Sequence, residues 1–150
     1  MAERKRKILF VCLGNICRSP MAMAIFRNLT DDWDCDSAAL GPWHTGNSPD
    51  RRAIKTLESY GIKLTHAARM ITSNDFHTFD IIMGMDHENI KTLRGMAPPK
   101  TENKIKLITE FDPEKADIVP DPYYDSGAEG FDLCYKICKR SLEKFLSTNG

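Results

Sequence analysis

A chain of 150 residues, 41% hydrophobic and 28% charged, has the size of one domain, enough to bury about two-thirds of the surface its unfolded form exposes. Lys and Arg number 21 and are balanced by 21 Asp and Glu, so no whole-molecule field draws the protein to nucleic acid or to an anionic membrane. Any anion must be held by a local site.

The basic stretch "RKRK" at 4–7 precedes an apolar run, Ile8–Leu13, that Gly14, Asn15 and Arg18 cut short. That run is too brief for an export signal or a membrane span. Residues 1–6 are expected to be a mobile, solvated tail. The five cysteines are an odd count without the spacing of a disulfide framework. They are expected to be reduced, and the protein cytoplasmic with no integral membrane association.

Further along, "KILFVCL" (7–13), "DCDSAAL" (34–40), "DIIMGM" (80–85) and "KIKLITEF" (104–111) are strand candidates. The first and third are nearly continuous apolar runs, as strands buried on both faces require. Helical spacing joins Met21, Ile25 and Leu29, and again Ile54, Leu57 and Tyr60 with Gly61 as the C-terminal stop. "HENIKTLRGMA" (87–97) carries Ile90, Leu93 and Met96 on one stripe. The last helix repeats Phe131, Cys134, Ile137, Cys138, Leu142 and Phe145, which puts both cysteines in the core. The alternation predicts a single α/β domain over 1–150, with a parallel, doubly wound, twisted sheet and helices on both faces. In such sheets ligands sit off the carboxyl ends of the strands, and Cys12–Arg18 lie at the end of the first.

Cys12 and Arg18 form a C-x5-R spacing around "LGNIC". Gly14 and Asn15 tolerate positive φ, so the loop can curl and turn successive N–H groups inward as an anion nest. Ser19 is expected as N-cap and Pro20 at the first helical position, adding the positive end of a helix dipole. A thiol in such a ring is favoured as thiolate. Arg18 supplies a planar fork for two oxygens of a tetrahedral oxyanion. The alternative, a core cysteine, a surface arginine and a plain turn, leaves the loop chemistry and the helix start coincidental. A zinc site from Cys12 and Cys17 lacks the usual spacing and partners, so no metal is expected.

The stretch "VCLGNICRSPMA" resembles the signature of the low-molecular-weight protein tyrosine phosphatases. "DSAA" (36–39), "DFHTFDIIMGMD" (75–86) and "DPYY" (121–124) follow in that family's order. The resemblance implies a four-stranded parallel sheet and a two-step, metal- and cofactor-free hydrolysis of phosphotyrosine or small aryl phosphates, releasing inorganic phosphate. Partners are then tyrosine-phosphorylated proteins, with a weak homodimer allowed. Phosphate is expected to be held by residues 13–19, that is Leu13, Gly14, Asn15, Ile16, Cys17, Arg18 and Ser19.

A phenolate leaving group needs a proton donor. Asp121 in "VPDPYYD" stands between Pro120 and Pro122, with Tyr123 and Tyr124 next to it. Alone this stretch reads as a turn with two half-buried tyrosines. The resemblance makes Asp121 the general acid and both tyrosines the pocket border. It also assigns Asn15, Ser19, Ser37 and His66 to a network supporting the loop, and Trp43 to the pocket edge. Read singly, Ser37 is a strand-end serine, His66 a surface histidine and Trp43 an exposed loop anchor. Cys17 is the expected redox partner of Cys12, through a reversible disulfide.

Two departures bear on specificity: Met23 stands where the family usually has Glu, expected at the pocket rim, and Asp125 where Gly is common. Three competing readings differ in residues. An arsenate reductase needs relay cysteines in the middle of the chain, and Cys35, Cys134 and Cys138 lie elsewhere. An arginine phosphatase typically has Thr at the position of Ile16. A phosphotyrosine-binding module without turnover has no need of Cys12, Arg18, Ser19 and Asp121 together.

Overall fold

The structure, a computed structural model, describes residues 4–149. Within them run β1 (Arg6–Cys12), α1 (Arg18–Leu29), β2 (Trp33–Ala39), α2 (Arg51–Ser59), α3 (Asp75–Thr78), β3 (Ile81–Gly84), α4 (His87–Met96), β4 (Ile105–Leu107) and α5 (Glu129–Asn149). The four strands are all parallel, in the order β2-β1-β3-β4. The chain leaves β1 toward β2 on one side and returns to β3 on the other. The crevice of this doubly wound sheet therefore opens at the carboxyl end of β1.

Alternation along β1 divides the core. Ile8, Phe10 and Cys12 join a cluster with Met21 and Phe26 of α1, Leu57 of α2 and Phe131, Cys138 and Phe145 of α5. Leu9 and Val11 join a second cluster with Phe76 of α3 and Ile90 and Leu93 of α4. Burial on both faces is the reason "ILFV" carries no polar alternation. Gly61, at φ +77, ends α2 as the spacing predicts, and the N–H of Ile62 returns to the Leu57 carbonyl at 2.9 Å.

Several expectations need correction. The fourth strand is only three residues long, and 108–111 continue as a 3-10 turn, with the Glu110 carboxylate accepting the Leu107 N–H at 3.3 Å. Such a short strand suits a sheet edge. The one-turn α3 went unpredicted, being too short to show periodicity. The tail expected over 1–6 is also shorter. Arg4 pairs with Asp80 at 3.0 Å, and Arg6 opens β1 with its guanidinium 4.3 Å from the Trp33 ring centroid. Residues 1–3 lie outside the described residues. Among the described residues no helix is long and apolar enough to cross a membrane.

Candidate active site

Cys12 is the last residue of β1, and its side chain closes the floor of a cavity of about 310 Å³. The walls are residues 13–18 of the loop, Trp43 and His44 from the segment after β2, and Asp121, Tyr123 and Tyr124 from the segment before α5. All three connections leave the sheet on the same side, as the parallel order requires.

The loop is shaped by Asn15, the residue of "LGNIC" that takes positive φ, at 60°. Gly14 does not, contrary to expectation. Its missing side chain instead makes room for the His44 ring, which an added Cβ would meet at 2.9 Å. Asn15 is fully buried and bonded on all sides. Its amide nitrogen donates to Ser19 Oγ at 2.8 Å and to Ser37 Oγ at 2.9 Å. Its amide oxygen accepts from the Arg69 N–H at 3.2 Å and from His66 Nε2 at 2.9 Å. An amide oxygen can only accept, so His66 carries its proton on Nε2. Burial pushes the His66 pKa down and favours this neutral ring. Arg69, in turn, is clamped by Asp36 and Asp75 at 3.1 and 2.9 Å.

This network ends on sulfur. Ser19 Oγ lies 2.9 Å from Cys12 Sγ, and the Ser19 N–H donates to the same sulfur at 3.4 Å. That engagement corrects the helix start. α1 begins at Arg18 with Cys17 as its N-cap, so Ser19 cannot cap, and Pro20 is the third helical residue. Pro20 still costs no hydrogen bond, because first-turn N–H groups have no intrahelical acceptor.

Arg18 is 2% exposed. One terminal nitrogen donates to Asp86 at 2.6 Å and to the Val119 carbonyl at 3.0 Å, while the other lies 3.7 Å from Asp121. Burial opposes its charge, yet Cys12, Asp86 and Asp121 around it hold the guanidinium charged beyond its ordinary range. Its Nε is buried with no protein acceptor among the described residues. A buried donor of this kind requires an acceptor.

Asp121 is exposed at the rim, its carboxylate accepting from the Tyr123 N–H at 3.1 Å. The Tyr123 and Tyr124 rings meet edge to face with centroids 4.9 Å apart, and Tyr123 also packs on His44. Trp43 is 64% exposed, its ring lying over Gly41 so closely that a Cβ there would overlap it. Leu13 is exposed beside it, whereas Ile16 and Cys17 are buried. Burial, aided by nearby Cys12, pushes the Cys17 thiol far up, so it is neutral at physiological pH.

Met23 is a correction: it is fully buried in the core cluster, not at the pocket rim. A charge buried at that position would be costly. Asp125 does not line the cavity; its carboxylate packs on Gly130 at the start of α5. Cys134 and Cys138 are buried in the core. Sequence reasoning missed Asp86, His44 and Arg69. Asp86 had a signal: an Asp two residues past β3, capping α4 by accepting the Asn89 N–H at 2.7 Å, on the same sheet edge as Cys12.

A sulfur at the end of the first strand, a helix start folded around it and a buried guanidinium in one crevice define a cysteine-based phosphate-loop site on a doubly wound scaffold. Comparison with known proteins agrees. The family model for low molecular weight phosphotyrosine protein phosphatase matches residues 7–149. The low molecular weight phosphotyrosine protein phosphatase 1 of Drosophila melanogaster is 44% identical over 147 residues, covering 94% of this chain and 95% of its own. The crystal structure of a protein tyrosine phosphatase from Entamoeba histolytica, with Hepes in its active site, superposes with a TM-score of 0.91 at 36% identity over 96% of each chain. A Drosophila arginine phosphatase superposes nearly as well, with a TM-score of 0.90 at 39% identity over 95% of this chain and 96% of its own. The chain belongs to the low molecular weight phosphotyrosine protein phosphatase family.

Proposed function

We propose that the protein hydrolyses phosphotyrosine in proteins, and small aryl phosphate monoesters, through a cysteinyl-phosphate intermediate. One observation carries this reading: Cys12 Sγ lies 2.9 Å from the Ser19 hydroxyl, beside a buried Arg18 whose Nε has no acceptor among the described residues. Sulfur stabilised by hydrogen bonds, next to an unspent guanidinium donor, suits attack on a bound phosphoryl group.

Cys12 attacks phosphorus as the thiolate while Arg18 and the loop N–H groups hold the nonbridging oxygens. The phosphorus–oxygen bond to the phenol breaks, and Asp121 gives its proton to the departing oxygen. Asp121, then a carboxylate, takes a proton from the water that attacks the cysteinyl-phosphate. Phosphate leaves, and the sulfur departs as a thiolate stabilised by Ser19. Trp43, Tyr123 and Tyr124 offer apolar and aromatic surface to the substrate ring.

The thiols are reduced and the protein works in the cytoplasm, as a monomer or weak dimer. Peroxide converts Cys12 to the sulfenic acid, and the neutral Cys17 thiol displaces water from it to form a disulfide that a thiol reductant opens. Ile16 supports an aryl substrate over phosphoarginine, since it turns an apolar residue into the wall where a hydroxyl is expected for the arginine activity.

The test is hydrolysis of 4-nitrophenyl phosphate, phosphotyrosine peptide and phosphoarginine by wild type and Cys12→Ser. The expected result is aryl preference, with Cys12→Ser inactive but still binding phosphopeptide. Turnover by Cys12→Ser, or a preference for phosphoarginine, overturns it.

A further inference from the structure

We infer that Arg52, outside the cavity and on α2, is a positioning residue that fastens the acid-bearing segment to the phosphate loop; this rests on Asp121 acting as the proton donor. A guanidinium has five N–H donors in a rigid fork, and Arg52 spends all of them. Nε donates to Asp50 Oδ1 and one terminal nitrogen to Asp50 Oδ2, both at 3.1 Å. The same terminal nitrogen donates to the Tyr123 carbonyl at 2.9 Å. The other donates to the carbonyls of Asp125 and, at 3.3 Å, Gly127. The face of the guanidinium lies 4.6 Å from the Phe131 ring centroid.

Each end of this clasp leads to the reaction. Asp50 caps α2, and its own N–H donates to the Ile16 carbonyl of the phosphate loop at 2.8 Å. Tyr123, gripped by Arg52 at its carbonyl, donates its N–H to the Asp121 carboxylate at 3.1 Å. Arg52 thus stands between the two halves of the site. It sets where the acid stands relative to the sulfur without touching either.

The 121–128 segment has no regular structure and is largely exposed; besides Arg52 it is held by the Tyr123 ring against His44 and by the Asp125 N–H on the Pro122 carbonyl. A general acid works only within hydrogen-bond reach of the leaving oxygen, and its loss is felt most when that oxygen is strongly basic. Lys at this position offers one nitrogen in place of a fork and cannot span three carbonyls and a carboxylate.

The experiment compares wild type, Arg52→Met, which keeps an apolar stem over Phe131, and Arg51→Ala, a change at the exposed neighbour. Amide exchange is read over 121–128 and over 12–19, kcat/KM over a series of aryl phosphates, and the rate of Cys12 alkylation by iodoacetate. In Arg52→Met we expect faster exchange over 121–128 with 12–19 unchanged. Its kcat/KM should fall about tenfold to a hundredfold for poor leaving groups and little for good ones, with alkylation unaltered. Arg51→Ala should match wild type throughout. Unchanged exchange over 121–128 overturns the inference, and so does a loss uniform across leaving groups or shared by alkylation. If wild type fails to hydrolyse any aryl phosphate, the proposed function falls, and the exchange data still decide whether Arg52 fastens the segment. Should Arg52→Met not fold, Arg52→Lys serves the same comparison.

Discussion

The two halves of the site are built in opposite ways. On the nucleophile side Cys12, Asn15, Ser19 and Ser37 are all buried, and side chains bond to side chains: Asn15 alone joins Ser19, Ser37 and His66. On the acid side Asp121 is exposed, Tyr124 is 86% exposed, and the grip comes from one arginine on three backbone carbonyls. A sulfur that must sit at one distance from phosphorus gains from a closed, fully satisfied network. An acid of the proposed kind, admitting first a phenol and then a water, needs an open rim, and a clasp on backbone carbonyls holds the segment without itself bonding to the carboxylate.

That contrast can be broken at several points. The largest effect is expected from Cys12→Ser, which should reduce aryl phosphate turnover to background while phosphate still protects the cavity; residual steady-state turnover would move the nucleophile elsewhere. Asp121→Ala should lower kcat/KM by about 10²–10⁴-fold for poor leaving groups and far less for activated ones. A loss independent of leaving-group pKa removes Asp121 from the acid role.

Asn15→Ala tests rigidity directly. It strands the Arg69 N–H, an orphaned polar group costing about 1–3 kcal/mol, leaves Ser37 and His66 only each other at 3.2 Å, and puts Ala at φ 60°. Urea unfolding should show a loss of about 3 kcal/mol or more; wild-type stability would mean that the network does not hold the loop.

A smaller, pH-dependent effect attaches to His66. Burial lowers its pKa from the ordinary 6.5, so the unfolded chain takes up a proton that the folded one refuses. Stability therefore falls as pH drops below 6.5, toward the depressed folded value. His66→Gln keeps an N–H for Asn15 but cannot titrate. Unfolding midpoints from pH 7.5 down to pH 5 should decline less steeply than in wild type, and parallel curves would exclude His66 as the source. The smallest effect is at the rim: Trp43→Ala should raise KM for aryl phosphates a few-fold, at about 0.5–1.5 kcal/mol for a ring contact, and leave stability alone.

Reading the chain alone was most successful where local sterics decide. "ILFVC" is a doubly buried strand, and its apolar continuity says so directly. Gly61 closes α2 where the spacing places it. Local reasoning failed where a group had a stronger distant offer. Ser19 has every local credential of an N-cap, yet its hydroxyl goes to sulfur seven residues back. Met23 is placed at the rim only by the Glu that the resembling family usually carries there, whereas α1 buries it in the core. Gly14 serves not by its φ but by the space it leaves for His44, a residue thirty positions on.

By itself, then, the sequence determined the strand, the loop and the thiol with its arginine, because Cys12 to Arg18 span one continuous turn whose chemistry depends on near neighbours. Only the tertiary structure decided what that turn works against. Arg18 meets Asp86 and Val119 across 68 and 101 residues, and Arg52 meets Tyr123 across 71. Those partners share a place only because the strands, in the order β2-β1-β3-β4, all run parallel and bring every carboxyl end to one edge. Spacing along a chain holds no information about which distant loops a sheet order will gather.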